Sequence, residues 1–380
     1  MDLVNVQPIE NKMGIINYVK YTAGSTQGVT TVGDEFASTF NYTGSDQYYT
    51  SQTVDQQPLS AAIASTVATL TLPWYPVIPG SVVISVGTGT PTVYHDDGAG
   101  NILNSSNETV SNCSINYSTG IVTMTTTQIA SADTAVIGNW GFNNEYAPVD
   151  VPQIDLRIES IPVLAKSRKL KALWSFDASY ELQKEYGQDL NALIAAQAAA
   201  EIAHEIDTEI LNDLYNQAYV SVTQPAITWS AAAPYGVSEA QHFESLKTAF
   251  NKASNRIFQN TKRAMGNFVV VGTNVATVLE STPSFTPSGL GNNIGPYFLG
   301  TWGGFKVYKN PFYAPNNFLV GYKGNSLFDA GYAYCPYMPV ATTQMLMLAD
   351  FKGMQSWAAS YAKTMLNSYM YVPGCITNFA

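Results

Sequence analysis

The sequence predicts an α+β protein, and three regional patterns indicate this class. Short alternating apolar runs separated by turn signals occupy about residues 70–140, which is typical of an all-β region. Apolar residues then recur at every fourth position from Leu182 to Leu214, the pattern of a long helix. From about 237 to 321 a helical segment precedes buried-strand patterns, which indicates a second, mixed region.

The first 60 residues are polar and weakly periodic. Glycines are spread through a segment rich in Thr and Gln, so little apolar surface is available for a core. We expect residues 1–60 to form an extended arm that is stable only against another surface. Disorder of this segment is the alternative.

The all-β region is expected to be a hairpin-rich insertion. Val82, Ile84 and Val86 alternate with other residues after a turn, and Ile115–Val122 indicates a strand, a turn and a second strand. Asp96–Asn101 superficially resembles a calcium loop, but it lacks the alternating ligands and terminal Glu of an EF-hand. A turn is therefore predicted there.

The four-residue apolar spacing predicts a helix over about 177–218. Four residues advance ~400° on a helix, so the stripe drifts by ~40° per step and winds around the axis. Such a helix must contact different partners along its length. We predict Asp177 as its N-cap and Gly187 as a weak point that divides it. The stripe comprises Leu182, Tyr186, Leu190, Ile194, Ala198, Ile202, Ile206, Ile210 and Leu214.

The C-terminal half alternates between helix and strand signals. A Pro/Thr/Ala-rich linker is predicted at Val220–Tyr235 and a second helix at Val237–Thr261. The predicted elements that follow are a buried strand at Phe268–Val271, a short helix to Leu279, and strands at Lys306–Tyr308 and Phe318–Gly321.

The chain is unusually poor in charge. Charged residues make up 12% of its 380 residues, about half of the roughly 25% typical of soluble domains. This composition suits a surface covered by neighbours, although a β-rich extracellular domain can share it. The net charge of −10 argues against a dedicated nucleic-acid binder. The N-terminus has no signal-peptide pattern, no apolar run is long enough for a membrane span, and three widely spaced cysteines predict reduced thiols.

The sequence offers no constellation for catalysis, a cofactor or a metal. His204-Glu205 begins like a zincin motif but lacks the second histidine, and Glu201 and His204 form only one Glu-x-x-His pair. Gly321–Ser326 lacks the spacing of a P-loop. We therefore expect no enzyme, and a solvated or interfacial helix face around His204.

Three short motifs near the C-terminus carry a family resemblance. They are Gly321-Tyr322-Lys323-Gly324, Asp329-Ala330-Gly331 and Pro336-Tyr337-Met338-Pro339. Together with Arg168–Phe176, which resembles the family's entry into its long helix, they are similar to the major capsid proteins of tailed bacteriophages of the T-even type. The resemblance runs from about Leu156 to Tyr371.

This resemblance implies the Hong Kong 97-type capsid fold. The implied divisions are an N-terminal arm (1–60), an extended loop carrying the β insertion (61–155), a peripheral domain with the spine helix (156–265), an axial domain (266–344) and a return to the peripheral domain (345–380). The motifs also suggest assembly-interface candidates, in which Lys323 and Asp329 could pair with each other or with neighbours. The candidates are Gly321, Tyr322, Lys323, Gly324, Asp329 and Tyr337.

The function implied is that of a shell subunit in the virion. It would form hexameric capsomers, with pentamers as a further form, after assembly in the bacterial cytoplasm. The implied partners are copies of itself and vertex, scaffold, portal and decoration proteins, around DNA that it does not bind specifically. Two alternatives stay open: a secreted or surface carbohydrate-binding β-rich protein, and an encapsulin-like compartment that stores an enzyme.

Overall fold

The computed structural model describes residues 3–36, 49–88, 90–129, 134–145, 151–262, 264–289, 295–324, 331–348 and 350–379. They fall into two compact units. The described parts of 1–19 and 158–380 form the larger unit, and those of 20–36 and 42–157 form the smaller unit. Strands outnumber helices, and both occur in the larger unit, which confirms the α+β class.

The elements are numbered in chain order. The strands are β1 Asn5–Val6, β2 Met13–Ala23, β3 Glu35–Phe36, β4 Thr53–Leu59, β5 Ala61–Ala64, β6 Val67–Thr71, β7 Val83–Val86, β8 Thr92–Asp96, β9 Asn101–Leu103, β10 Thr109–Asn116, β11 Ile121–Thr125, β12 Val136–Gly141, β13 Ile154–Leu164, β14 Lys166–Ser175, β15 Ile227–Ser230, β16 Phe268–Val271, β17 Phe285–Pro287, β18 Tyr297–Trp302, β19 Phe305–Lys309, β20 Asn317–Gly321, β21 Tyr332–Thr342, β22 Leu346–Met347, β23 Lys352–Met365 and β24 Tyr371–Thr377. The helices are α1 Phe176–Tyr186, α2 Leu190–Asn216, α3 Glu239–Glu244, α4 Leu246–Thr261 and α5 Thr273–Glu280, with a 3-10 turn at Ser368–Met370.

A nine-stranded sheet builds the smaller unit, in the order β4-β12-β7-β8-β9-β10-β11-β6-β5. Strands β4 and β5 lie at opposite ends of this order, yet only Ser60 separates them in the chain. One residue spans less than about 4 Å, so the two ends of the sheet must meet and the sheet curves around its core. Trp140, Leu70 and Val122 are buried in that core. The all-β region thus starts at Thr53, before the predicted 70.

The turn predicted at 96–101 is held by Asp97. Its carboxylate accepts hydrogen bonds from the N–H groups of Ala99 and Asn101 at 2.8 and 3.0 Å. These bonds close a local loop between β8 and β9, as Asp side chains do in turns.

The first residues of the described chain lie on the larger unit. Strand β1 pairs in parallel with β21, and Val4 is buried beside α2 residues. Strand β2 is eleven residues long and contributes Ile16 to a small core with Val163 and Cys335. Val4 and Ile16 of this segment are therefore buried in cores of the larger unit.

Helix α2 packs on a five-stranded sheet of order β1-β21-β23-β14, in which β22 also pairs with β23. Strand β14 pairs with β23 over ten residues, from Lys166 opposite Tyr361 to Ser175 opposite Lys352. Arg168–Phe176, which resembles the family's entry into the long helix, is mostly strand, and helix α1 begins at its last residue, Phe176. Lys, Leu and Ala favour helix locally, but pairing with a strand almost 190 residues away overrides that preference.

The predicted long helix is two helices. Gly187 ends α1 with φ +64° in the left-handed region, and Asp189 caps α2 by accepting from the N–H of Asn191. The N-cap of α1 is Ser175 and not Asp177, because the Ser175 side chain accepts from the N–H of Ala178. At about 1.5 Å per residue the 27 residues of α2 span about 40 Å.

A seven-stranded sheet, β15-β24-β20-β16-β19-β18-β17, forms the rest of the larger unit. Strand β16 is buried on both faces: Val269 and Val271 pack toward α4 and α5, while Phe268 and Val270 face the α2 core. This explains its unbroken apolar run.

Two predicted elements differ from the structure in this region. The predicted linker contains β15, and the predicted helix at 237–261 is divided between α3 and α4 at Ser245. Strand β24, which lies within the segment 345–380, pairs with β15 and β20 of this sheet.

Candidate assembly surfaces

The turn at 321–324 is held in place by Asn267. The side-chain amide of Asn267 donates to the carbonyl of Lys323 at 2.7 Å, and its oxygen accepts from the N–H of Lys323 at 3.1 Å. The N–H of Asn267 donates to the carbonyl of Gly321, and that of Tyr322 donates to the carbonyl of Met370. Because three of these bonds come from one residue, the turn has a fixed conformation at the end of β20.

Glycine is required at 321 by a close approach and not by backbone conformation. The φ of Gly321 lies outside the left-handed region, so the backbone there does not need glycine. A Cβ added there would lie 2.4 Å from Cζ of Phe268, closer than carbon atoms pack. The Phe268 ring itself belongs to the α2 core. Gly321 therefore lets β20 lie against that ring.

Lys323 lines a cleft of about 390 Å³ together with Lys306, Asn267 and Tyr308. The cleft thus carries two lysine side chains in a chain that is acidic overall. Asp329, proposed from the sequence as a partner of Lys323, lies outside the described residues.

Tyr337 lies where β21 changes from buried to exposed. Tyr332 to Cys335 are buried, whereas Tyr337 is 41% exposed and the pairing with β23 shifts register between Pro336 and Met338. The segment that follows leaves further large apolar side chains in solvent: Val340, Met345, Leu346, Met347, Leu348 and Phe351. Such a dense apolar strip is typical of a surface that another molecule covers.

An ion-pair cluster that the motifs did not indicate fastens α2 to the five-stranded sheet. Arg168 on β14 contacts Glu205 at 2.6 Å and also Glu209. Lys363 on β23 contacts both Glu209 and Asp213. Tyr361 also donates to Glu209. The four-residue spacing of Glu205, Glu209 and Asp213 was a signal for one charged helix face, but their partners are distant in sequence.

The cluster shifts the pKa of its central acid. Burial alone would raise the pKa of Glu209, but hydrogen bonds from Lys363, Tyr361 and Arg168 outweigh it and lower the pKa to about 2. Burial and the hydrogen bond to Glu209 also raise the pKa of its partner Tyr361, to about 12. Glu209 is therefore ionised and Tyr361 neutral near pH 7, which makes the cluster a fixed electrostatic contact.

Strand β14, at the edge of the five-stranded sheet, and helix α1 are largely exposed to solvent. Strand β14 and helix α1 contain no buried residue. Leu173, Phe176, Tyr180 and Tyr186 are all at least half exposed. An eleven-residue helix is marginal in water unless one face is packed, so this segment is incomplete in the single subunit.

His204 is half-buried on α2, near the ring of Phe312. It lines a cleft with Glu201 and Glu205. In the part of the chain that the structure describes, no group of three His, Cys, Asp or Glu side chains has metal-binding geometry. In the same residues, no helix is long and apolar enough to cross a membrane. Cys113 and Cys335 are buried free thiols, and Cys375 is a half-buried one.

Comparison with known proteins identifies a family over nearly the whole chain. The model of the family "Major capsid protein Gp23" matches residues 1–377. The major capsid protein of Vibrio phage KVP40 is 27% identical over 312 residues, covering 77% of this chain and 56% of the relative. That of Enterobacteria phage T4 is 27% identical over 220 residues, covering 52% and 42%. The chain thus spans about half the length of the curated relatives it matches.

Solved structures give weaker matches. The mature capsid of bacteriophage PhiM1 matches with a TM-score of 0.42 and 12% identity, over 63% of this chain and 78% of that one. The capsid of the Myoviridae phage XM1 gives a TM-score of 0.39 and 9% identity, over 62% and 82%. The SrpI encapsulin from Synechococcus elongatus gives 0.40 and 12%, over 59% and 78%.

Proposed function

Because the chain belongs to the Gp23 family of major capsid proteins, we propose that it is the self-assembling subunit of an icosahedral phage head. The family match over residues 1–377 carries this proposal. The uncovered apolar surface around β14, α1 and the segment after Tyr337 supports it, since a soluble monomer rarely leaves such patches in water. We propose no catalytic role.

The test is assembly of the purified chain. At micromolar concentration and physiological salt, sedimentation velocity should show hexamers or larger particles, and negative-stain microscopy should show closed or partial shells. A compact, fully folded monomer under these conditions would contradict the proposal.

The proposed contents and partners follow from the same role. The shell encloses double-stranded DNA without binding it specifically, because a wall with a net charge of −10 per subunit does not adhere to phosphates. Hexameric capsomers form the faces, and vertex, scaffold, portal and decoration proteins complete the head. Assembly takes place in the cytoplasm of the bacterial host.

We further propose how the elements correspond to the parts of the Hong Kong 97-type fold. In this assignment the nine-stranded sheet is the extended loop with its insertion, α2 is the spine helix, and the seven-stranded sheet is the axial domain. Deletion of residues 77–134 should then leave the helical circular dichroism of the larger unit intact and impair assembly. Loss of that helical signal would contradict the assignment.

The turn at 321–324, with Lys323 as its charged group, is proposed as a contact between subunits of one capsomer. Its fixed conformation supports this, because a pre-ordered turn loses little entropy on binding. Lys323→Glu should reduce capsomer formation, and adding Asp329→Lys should partly restore it if the two residues pair. Lys252→Glu, on the exposed side of α4, is the matched control. If Lys323→Glu assembles as well as the control, the turn is not a contact between subunits.

A further inference from the structure

Strand β14 carries an unmatched basic face. Trp357 and Ala359 of β23 pack toward α2, and they lie opposite Leu170 and Arg168 in the β14–β23 register. Side chains alternate along a strand, so Lys169 and Lys171 lie on the other face of the sheet. Both lysines are exposed and make no ion pair within the part of the chain that the structure describes.

Helix α1 carries an unmatched acidic face. Asp177, Glu181 and Glu185 recur at four-residue spacing, so they lie along one side of the helix. All three are exposed and, among the described residues, none forms an ion pair. The rings of Phe176 and Tyr180 are also exposed, and the ammonium of Lys184 on the same helix lies 5.5 Å from the centroid of the Tyr180 ring.

The two faces complement each other, yet they do not meet within one subunit. Helix α1 directly follows β14 in the chain, but no acid of α1 lies within ion-pair distance of a β14 lysine. Burial of the aromatic rings of α1 together with its acids requires a partner surface that is both apolar and basic. The β14 face, with Leu173 next to Lys171 on the same side, has both properties.

We propose that α1 of one subunit docks on the Lys169–Lys171 face of β14 in a neighbouring copy. The inference rests on the proposed shell function and names one of its contacts. The two patches differ, so the contact is heterologous and can close into rings. The acids of α1 then pair with the two lysines, while Phe176 and Tyr180 pack against Leu173 of the neighbour.

Charge reversal tests this contact. One variant, Lys169→Glu/Lys171→Glu, makes the β14 face acidic. A second, Glu181→Lys/Glu185→Lys, makes the α1 face basic. Each exposed ion pair changes the equilibrium constant of a contact by a few-fold. Every subunit makes this contact twice, once with each neighbour. We therefore expect the threshold concentration for assembly to rise about tenfold in each variant. The double variant Lys247→Glu/Lys252→Glu, with exposed lysines on α4, should assemble like the unmodified chain.

Mixing the two reversed variants distinguishes contacts between subunits from contacts within one. Equimolar mixing should restore assembly, because each acidic helix meets a basic strand and each basic helix meets an acidic strand. A chain carrying all four substitutions should also assemble. If the chain with all four substitutions assembles but the mixture does not, the ion pairs form within one subunit. That result would overturn the proposal.

Three other outcomes are decisive. If the unmodified chain does not assemble, the proposed function itself fails. If it assembles and both reversed variants, with unchanged circular dichroism, assemble equally well, only the α1–β14 contact is overturned. If the strand variant forms normal shells but retains less DNA, the lysines contact nucleic acid and the proposal is also overturned.

Discussion

Replacement of Glu209 by Gln should weaken the attachment of α2 to the five-stranded sheet. The amide keeps the shape of the side chain but removes the charge that Arg168 and Lys363 share. Both cations keep a second partner, Glu205 and Asp213 respectively. The substitution therefore removes the centre of the cluster without leaving a cation unpaired.

The size of the effect follows from the pKa of Glu209. This pKa falls from 4.5 to about 2 in the folded chain. Each pKa unit corresponds to about 1.4 kcal/mol, so the substitution can lower the free energy of unfolding by at most about 3 kcal/mol. The side chain is 31% exposed, and solvent screening reduces the expected loss to about 1–2 kcal/mol. Because the pKa is lower in the folded state, this stabilisation is complete above about pH 4.5 and is lost as the pH falls toward 2.

The assay is chemical denaturation of the dilute chain at pH 7, 5, 4 and 3. The difference in free energy of unfolding between the unmodified chain and Glu209→Gln should be constant from pH 7 to 5 and shrink below that range. Glu201→Gln is the control, since Glu201 lies on the same helix and makes no ion pair among the described residues. The reasoning fails if the two substitutions cost the same at pH 7, or if the Glu209 difference does not shrink at pH 3.

Three smaller predictions concern local packing. Gly321→Ala should cost about 1–3 kcal/mol in thermal unfolding, because its Cβ would overlap the Phe268 ring; an unchanged melting temperature would contradict this. Asn267→Ala should lower the free energy of unfolding by about 1–2 kcal/mol and speed hydrogen exchange at the Lys323 amide, since two hydrogen bonds to that residue are lost; unchanged exchange would show that the turn does not depend on them. Burial raises the pKa of Asp96, so the folded state favours its protonated form and Asp96→Asn should not destabilise the chain at pH 7. Any gain in free energy of unfolding from Asp96→Asn should shrink toward pH 4. A large loss of stability at pH 7 would show that the Asp96 charge is stabilising.

Local patterns predicted the elements whose structure depends on their own residues. The run at Phe268–Val271 is a strand buried on both faces, as its unbroken apolar character indicated. Gly187 ends α1 because only glycine enters the left-handed region without strain. The apolar stripe of α2 was also visible, although it is buried only from Ala198 onward.

The candidate surfaces depended on contacts between distant segments. The sequence identified Gly321 and Lys323 by resemblance, but not Asn267, which bonds to both of them from a loop more than 50 residues earlier. The reason for glycine at 321 likewise lies in the Phe268 ring and not in a turn of its own.

By itself the sequence determined the α+β class, the long helical stripe and the family to which the chain belongs, because these depend on local periodicity and on motifs. Only the tertiary structure decided that Lys166–Ser175 is a strand and that Glu209 lies between Arg168 and Lys363. The physical reason is that strand pairing and ion pairing are interactions between residues far apart in the chain. Their free energy outweighs local helix preference once the fold brings the partners together, and no short window of sequence contains both partners.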